Sequence, residues 1–166
     1  AIQKGTELIV ETDDDNFPKE KFWENREPKH QTTFLENHDW VNVYRYFSSG
    51  NIWPRGYPLE HLQKEIPSLN ESPQSEVYCP IQQGLADENP DIDAVFRLTH
   101  SLPHYFTIAN KVALGTKTWC PFNSQNTSFF PDAFPLLYLP SYCSFRMTDI
   151  WRSFVAQRIC WENNWF

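Results

Sequence analysis

Apolar positions in this chain gather in short runs separated by polar, Pro-broken stretches. The first run, Leu8-Ile9-Val10 within Thr6 to Thr12, stops abruptly at Asp13-Asp14-Asp15-Asn16. A continuous β-branched run predicts a strand covered on both faces, as in the parallel sheets of α/β proteins. Ligands of such sheets collect beyond the carboxyl ends of the strands, where the three Asp residues fall. Residues 17–37 are polar, carry Pro18 and Pro28, and read as a loop. Val41 to Phe47 (VNVYRYF) predicts a second strand, followed by a turn through Ser48-Ser49-Gly50-Asn51. Pro58 favours a helix start and predicts a helix over Leu59 to Ile66, closed by Pro67. Val77 to Gln83 and Tyr105 to Leu114 read as further strands, residues 87–93 as an acidic turn, and Pro121 to Asp132 as an irregular aromatic loop. Ala94 to Leu98 is compatible with either element type.

The final pattern is the most regular. Met147 to Asn163 contains neither Pro nor Gly. Trp151, Phe154, Val155 and Ile159 recur at helical spacing and predict the buried face of an amphipathic helix, with Thr148 as its N-cap.

Composition narrows the function classes. At 166 residues the chain has the size of one domain, and its 40% hydrophobic content excludes a disordered polymer. No apolar run approaches the ~20 residues of a membrane span, and the start, AIQKGTELIV, lacks the pattern of a leader peptide. The net charge of −7 argues against a nucleic-acid binder, which needs a basic face. The four Cys (Cys79, Cys120, Cys143, Cys160) lack metal-ligand spacing and read as buried thiols.

Four groups of residues are chemically suggestive. Adjacent like charges at Asp13, Asp14 and Asp15 repel unless they are solvated or neutralised by a cation. In an extended segment Asp13 and Asp15 would point the same way and could share one Mg²⁺ or Mn²⁺, whose other positions are filled by water and substrate phosphate. The alternative is a solvated acidic turn. In Asn51 to Leu59 (NIWPRGYPL), Arg55 beside Gly56 offers a fork for phosphate or carboxylate, or else forms an ordinary turn. Asp149 either complements the helix dipole or acts as a base on an acceptor hydroxyl. Asn123, Gln125 and their neighbours could hydrogen-bond sugar hydroxyls or hold their own loop. Trp151, Arg152 and Arg158 follow Asp149 on the last helix. His100 or His104 could complete a metal shell.

Taken together, TELIVETDDDN, NIWPRGYPLE and the closing LYLP and FRMTDIWRSFVAQRICW blocks resemble the STELLO-type family of glycosyltransferases. They are more distantly similar to the reversibly glycosylated polypeptides, the UDP-arabinopyranose mutases. QQGLADENPDIDAVFRLT and PFNSQNTSF extend the resemblance over most of the chain. The resemblance implies an α/β fold of GT-A type, in which a DxD motif binds a divalent ion bridging the donor diphosphate. Residues 1–166 then form a single GT-A-like domain lacking its N-terminal nucleotide-binding half, since the DxD strand starts near residue 6.

Carried over residue by residue, Asp13 and Asp15 become metal ligands for Mn²⁺ or Mg²⁺. Asp149 becomes the catalytic base or acceptor-binding acid. Asp14, Arg55, Gly56, Asn123, Gln125, Trp151, Arg152 and Arg158 become donor- or acceptor-binding residues. The implied partners are a nucleoside diphosphate sugar, most simply a UDP-sugar, and a glycan or other hydroxyl acceptor. Nucleic acid is not an expected partner. Association with itself or with other glycan synthases is a further expectation, as is a Golgi location if a membrane anchor precedes the chain and a cytoplasmic one otherwise.

Two departures from the relatives matter. Leu62 stands where the mutases carry a second Arg, so self-glycosylation and mutase activity are not expected. The run Gln157-Arg158 to Trp161 resembles a block of processive synthases, but with its Arg displaced, so processivity is not expected. The rival reading is a non-catalytic carbohydrate-binding or scaffold module. A metal-dependent phosphohydrolase is disfavoured by the lack of a second acidic motif.

Overall fold

The expected strand around Leu8–Val10 forms, but in a different kind of sheet. The computed structural model describes residues 5–166; residues 1–4, part of the segment read as leader-free, lie outside them. In chain order the strands are β1 (Ile9–Thr12), β2 (Lys29–Leu35), β3 (Asp39–Trp40), β4 (Gln74–Tyr78), β5 (Ile81–Gln83), β6 (Val112–Leu114), β7 (Thr118–Trp119) and β8 (Asn126–Phe129). Two α-helices, α1 (Ala94–Thr99) and α2 (Thr148–Glu162), complete a mixed α/β arrangement. Short 3-10 turns occupy Val43–Tyr46, Leu59–His61, Pro131–Leu137 and Phe145–Met147.

β1 is an edge strand, half-buried, and pairs antiparallel with β8 from Ile9 opposite Phe129 to Thr12 opposite Asn126. β5 pairs antiparallel with the other side of β8. The expected doubly covered parallel strand is therefore an antiparallel edge. Its apolar run is short enough to be covered from one side by Phe129, Ala133 and Phe134 and their neighbours. A second sheet has the order β4-β2-β6, with β2 antiparallel to β4 and parallel to β6. β3 and β7 form a short parallel pair.

Both central strands fall where the sequence reads as loop. β2 is KHQTTFL and β8 is NTSF, and buried hydroxyls stand in them beside the buried Leu35 and Phe129. Thr32 Oγ1 donates to the Lys111 carbonyl at 3.1 Å. Thr127 is fully buried and donates from Oγ1 to Gln83 Oε1 at 3.1 Å, while Ser128 Oγ accepts from Arg26. Partnered hydroxyls bury cheaply, and β-branched Thr suits a pleated backbone.

Other expectations are corrected by Pro and by local contacts. Val77 to Gln83 is not one strand. Pro80, which has no N–H to give a ladder, separates β4 from β5, and the two join different sheets. The helix expected over Leu59 to Ile66 is reduced to the 3-10 turn Leu59–His61, and no side chain caps its start. Only Val112–Leu114 of the expected strand from Tyr105 is extended in a ladder, and the 41–47 strand is a 3-10 turn after β3.

On α2 the buried residues are Asp149, Ile150, Arg152, Ser153, Ala156 and Cys160. Trp151 and Val155, expected to face the core, are 52% and 59% exposed. The helix turns its small residues inward, which permits close approach, and buries two charged groups that have partners. Thr148 does not cap the helix: its hydroxyl donates to the Phe145 carbonyl at 3.0 Å. Aromatic rings fill the space beyond, with Trp40 edge-on to Tyr57 and Phe154.

Candidate functional site

The aspartate cluster follows β1 as a tight turn rather than an extended segment. The Asp13 N–H donates to the Gln125 carbonyl at 3.4 Å, and the Asn16 N–H closes back on the Asp13 carbonyl at 3.2 Å. Asn16 Nδ2 also donates to the Gln125 carbonyl at 2.8 Å, mooring the turn to the loop before β8. Asp13 and Asp15 nevertheless line one cavity of ≈ 380 Å³, shared with Arg55, Asn89, Asp91, Arg97, Ser124, Gln125, Arg146 and Asp149. The Asp13 carboxyl lies above the ordinary carboxylate range because of burial first, then the charges of Asp91, Asp15, Asp149 and Asp14.

Beside this acidic turn, Arg55 is clamped between two carboxylates. Its Nε donates to Asp91 Oδ1 at 2.8 Å and its Nη2 to Asp91 Oδ2 at 2.6 Å. Nη1 and Nη2 reach Asp149 Oδ1 and Oδ2 at 3.1 and 2.7 Å. Burial alone would lower the guanidinium; the hydrogen bonds and charges of Asp91 and Asp149 raise it above its ordinary value. Nη1 also donates to the Arg146 carbonyl. Asp149 is engaged from further sides, by the Ser124 N–H at 3.2 Å and its neighbour's Ile150 N–H at 3.0 Å. Both of its oxygens are thus hydrogen-bonded, an arrangement that holds Arg55 in place.

Gly56 makes the clamp possible. Its φ is +83°, and a Cβ there would stand 2.5 Å from Cγ2 of Ile150. Only glycine permits the turn that carries Arg55 to come this close to the start of α2.

Beneath the cavity, Arg152 makes the strongest polar contact between β1 and α2. Its side chain is 2% exposed and holds both oxygens of Glu11, at 2.8 and 2.6 Å, and Ser124 Oγ at 3.0 Å. The guanidinium also stands over the Phe129 ring, 5.2 Å from its centroid.

Of the residues singled out in the sequence, Asp13, Asp15, Arg55, Gln125 and Asp149 meet in the cavity. Gln125 is internally committed, accepting from the Asp91 N–H at 2.7 Å and donating to the Asn89 carbonyl at 3.0 Å. Asp14, Gly56, Asn123, Trp151, Arg152 and Arg158 lie outside the lining. Asn123 is buried and braces the loop through its Oδ1, which accepts from the Gln125 N–H. Arg158 is exposed and pairs with Glu162 on the helix surface. His100 stacks on Phe96, ring centroids 4.3 Å apart, and His104 packs edge-on to Phe106. Neither reaches the aspartates' cavity.

Asp91, Asn89, Arg97 and Glu11 carry no site expectation from the sequence pattern, and Arg146 enters only within the FRMTDIWRSFVAQRICW block. Asp91 lay within a stretch read only as an acidic turn, although its block was among those carrying the resemblance. Glu11 stands on β1 itself, two residues before Asp13.

A strand-end aspartate turn and a doubly paired arginine thus share one charged cavity in a mixed α/β chain. Over 131 residues the chain is 37% identical to the protein named probable glycosyltransferase STELLO1 of Arabidopsis thaliana, covering 74% of the chain and 17% of that protein. It is 33% identical over 184 residues to probable glycosyltransferase STELLO2 of the same plant, covering 98% of the chain and 24% of that protein. No family model matches the chain. The chain belongs to the STELLO-type family and spans less than a quarter of the length of these curated relatives. Among the described residues, no helix is long and apolar enough to cross a membrane.

Proposed function

We propose that this chain is part of a metal-dependent glycosyltransferase domain of GT-A type. It transfers a sugar from a nucleoside diphosphate sugar, most simply a UDP-sugar, to a hydroxyl acceptor. The observation that carries this reading is the shared cavity of Asp13 and Asp15, in which the Asp13 carboxyl is raised by burial and by the neighbouring carboxylates. Such a pair gains from a divalent cation. The names of the two relatives support the transferase class.

The residues fit Mn²⁺ or Mg²⁺ of the kind that takes most of its shell from water and phosphate. Asp13 and Asp15 offer two carboxylates to one cavity, and among the described residues no three His, Cys, Asp or Glu side chains converge as a complete protein shell. Asp13 and Asp15 would hold the ion, which when bound offsets charge building on the departing nucleoside diphosphate. Arg55 fixes the geometry around it by tying the Asp91 loop to the start of α2. Asp149 acts through Arg55 as a positioning residue.

One observation favours the second reading, a binding module without turnover: both oxygens of Asp149 are engaged within the protein, by Arg55 and by the Ser124 N–H. Sugar release from UDP-sugars with Mn²⁺ separates the two. Turnover that falls in Asp13→Asn and Asp15→Asn supports the transferase, and nucleotide binding without turnover supports the module.

A further inference from the structure

The arginines that pattern and resemblance pick out are already neutralised. Arg55 is paired with Asp91 and Asp149, Arg152 with Glu11, and Arg158 with Glu162. Two other arginines line the cavity of Asp13 and Asp15, and neither meets a carboxylate. Arg97, on α1, is steered by neutral acceptors, Asn89 Oδ1 at 2.7 Å and the Pro90 carbonyl at 2.9 Å, so its charge stands uncompensated. Arg146 gives its carbonyl to Arg55, while its guanidinium has no hydrogen-bond or ion-pair partner among the described residues. The cavity therefore holds two carboxylates and two guanidinium groups that have not cancelled one another.

We propose that Arg97 and Arg146 form the anion subsite of this cavity and take phosphate oxygens of a diphosphate-bearing ligand. This rests on the reading of the pocket as a nucleotide-sugar site, and it assigns the phosphate contacts to residues other than Arg55, Arg152 and Arg158. A bare anion would be repelled by Asp13 and Asp15, and a bare cation by the two arginines. A diphosphate carrying a divalent ion satisfies both sets at once. Guanidinium forks match the geometry of phosphate oxygens, and α1 and the 3-10 turn Phe145–Met147 ahead of α2 carry them.

The test is calorimetric titration of inorganic pyrophosphate in two formats. In the first, pyrophosphate with Mn²⁺ is titrated into the wild-type chain, Arg146→Gln, Arg97→Gln and Arg158→Gln. In the second, pyrophosphate with chelator is titrated into Asp13→Asn/Asp15→Asn, with and without Arg146→Gln, so that no metal enters. Loss of Arg146 in either format, or of Arg97 in the first, is expected to weaken binding about tenfold or more, the scale of a charge-assisted hydrogen bond. Arg158→Gln, an equal change in net charge away from the cavity, is expected to bind like the wild type. Arg146 holds nothing in the protein through its side chain, so its replacement leaves the fold intact.

Unchanged binding in Arg146→Gln and Arg97→Gln, or an equal loss in Arg158→Gln, overturns the proposal. The two readings fail separately. Mn²⁺ binding that needs Asp13 and Asp15 beside arginine-independent pyrophosphate binding leaves the metal reading standing and removes this one. Arginine-dependent binding in the metal-free format, with no Mn²⁺ binding to the wild type, does the reverse.

Discussion

Arg152 and Glu11 bind each other through both oxygens of the carboxylate, at 2.8 and 2.6 Å, with the arginine side chain only 2% exposed. Glu11 stands two residues before Asp13 and Arg152 three after Asp149, so this pair joins the strand bearing the aspartate turn to the helix bearing the arginine clamp. The contact ties these two elements together outside the cavity lining.

Removing Glu11 leaves a buried guanidinium without its counter-charge. Glu11→Ala is expected to cost about 3 kcal/mol, the range found when one partner of a buried pair is lost. Arg152→Met, of similar length and apolar, is expected to cost less, because Glu11 is part-exposed and can rehydrate. The double variant should fall short of the sum of the two, and urea denaturation of the four proteins measures the coupling.

Asp13 makes the stability of the chain depend on pH. Its folded-state value is raised above the ordinary value by burial and by Asp91, Asp15, Asp149 and Asp14. A raised carboxyl contributes stability that is complete below the unfolded-state value and lost as pH rises through the folded-state one. At neutral pH the ionised Asp13 therefore destabilises the metal-free chain. Asp13→Asn is expected to raise the melting temperature at pH 7 in chelator, with the gain shrinking as pH falls toward 4. Thermal melts across that range check the sign.

Gly56→Ala tests the close approach of the Arg55 turn to α2. With φ at +83° and the new Cβ 2.5 Å from Ile150 Cγ2, the substitution is strained in both backbone and packing. A loss of about 1–3 kcal/mol is expected. Because Ile150 adjoins Asp149, UDP binding should weaken as well. Ile150→Val, which removes one methyl group in the core, should lower stability by about 1 kcal/mol on its own.

The thiols should react in two classes. Burial pushes Cys79 and Cys120 up to about 12 and Cys160 up to about 11, and all three are buried. Cys143 is part-exposed. Titration of the native chain with a disulfide reagent at pH 8 is expected to label Cys143 promptly and the other three only on denaturation.

What was legible in the sequence follows from which forces it displays. The apolar run before Asp13, the uninterrupted helix after Met147 and the charged cavity residues Asp13, Asp15, Arg55 and Asp149 all announce themselves by residue type. The partners that bury polar groups do not. β8 is the middle strand of its sheet, yet reads as NTSF, because its buried hydroxyls depend on Gln83 and Arg26 from distant segments and on Asn123 just ahead of it. The same holds on α2, where Arg152 is inside and Trp151 is half outside: Glu11 pays for one, and the small Ser153 and Ala156 decide which stripe fits. Arg97 and Arg146 carry no signal in the sequence for the same reason in reverse, since what distinguishes them is the carboxylates they do not meet.

The central claim is that Asp13 and Asp15 together hold a divalent ion for a nucleoside diphosphate. Its most direct measurement is calorimetric titration of UDP with Mn²⁺ into the wild-type chain, Asp13→Asn and Asp15→Asn. Binding by the wild type that needs Mn²⁺ and weakens tenfold or more in each variant, about 1.4 kcal/mol, is the predicted result. Equal heats and affinities in all three proteins, or UDP binding indifferent to Mn²⁺, would contradict it.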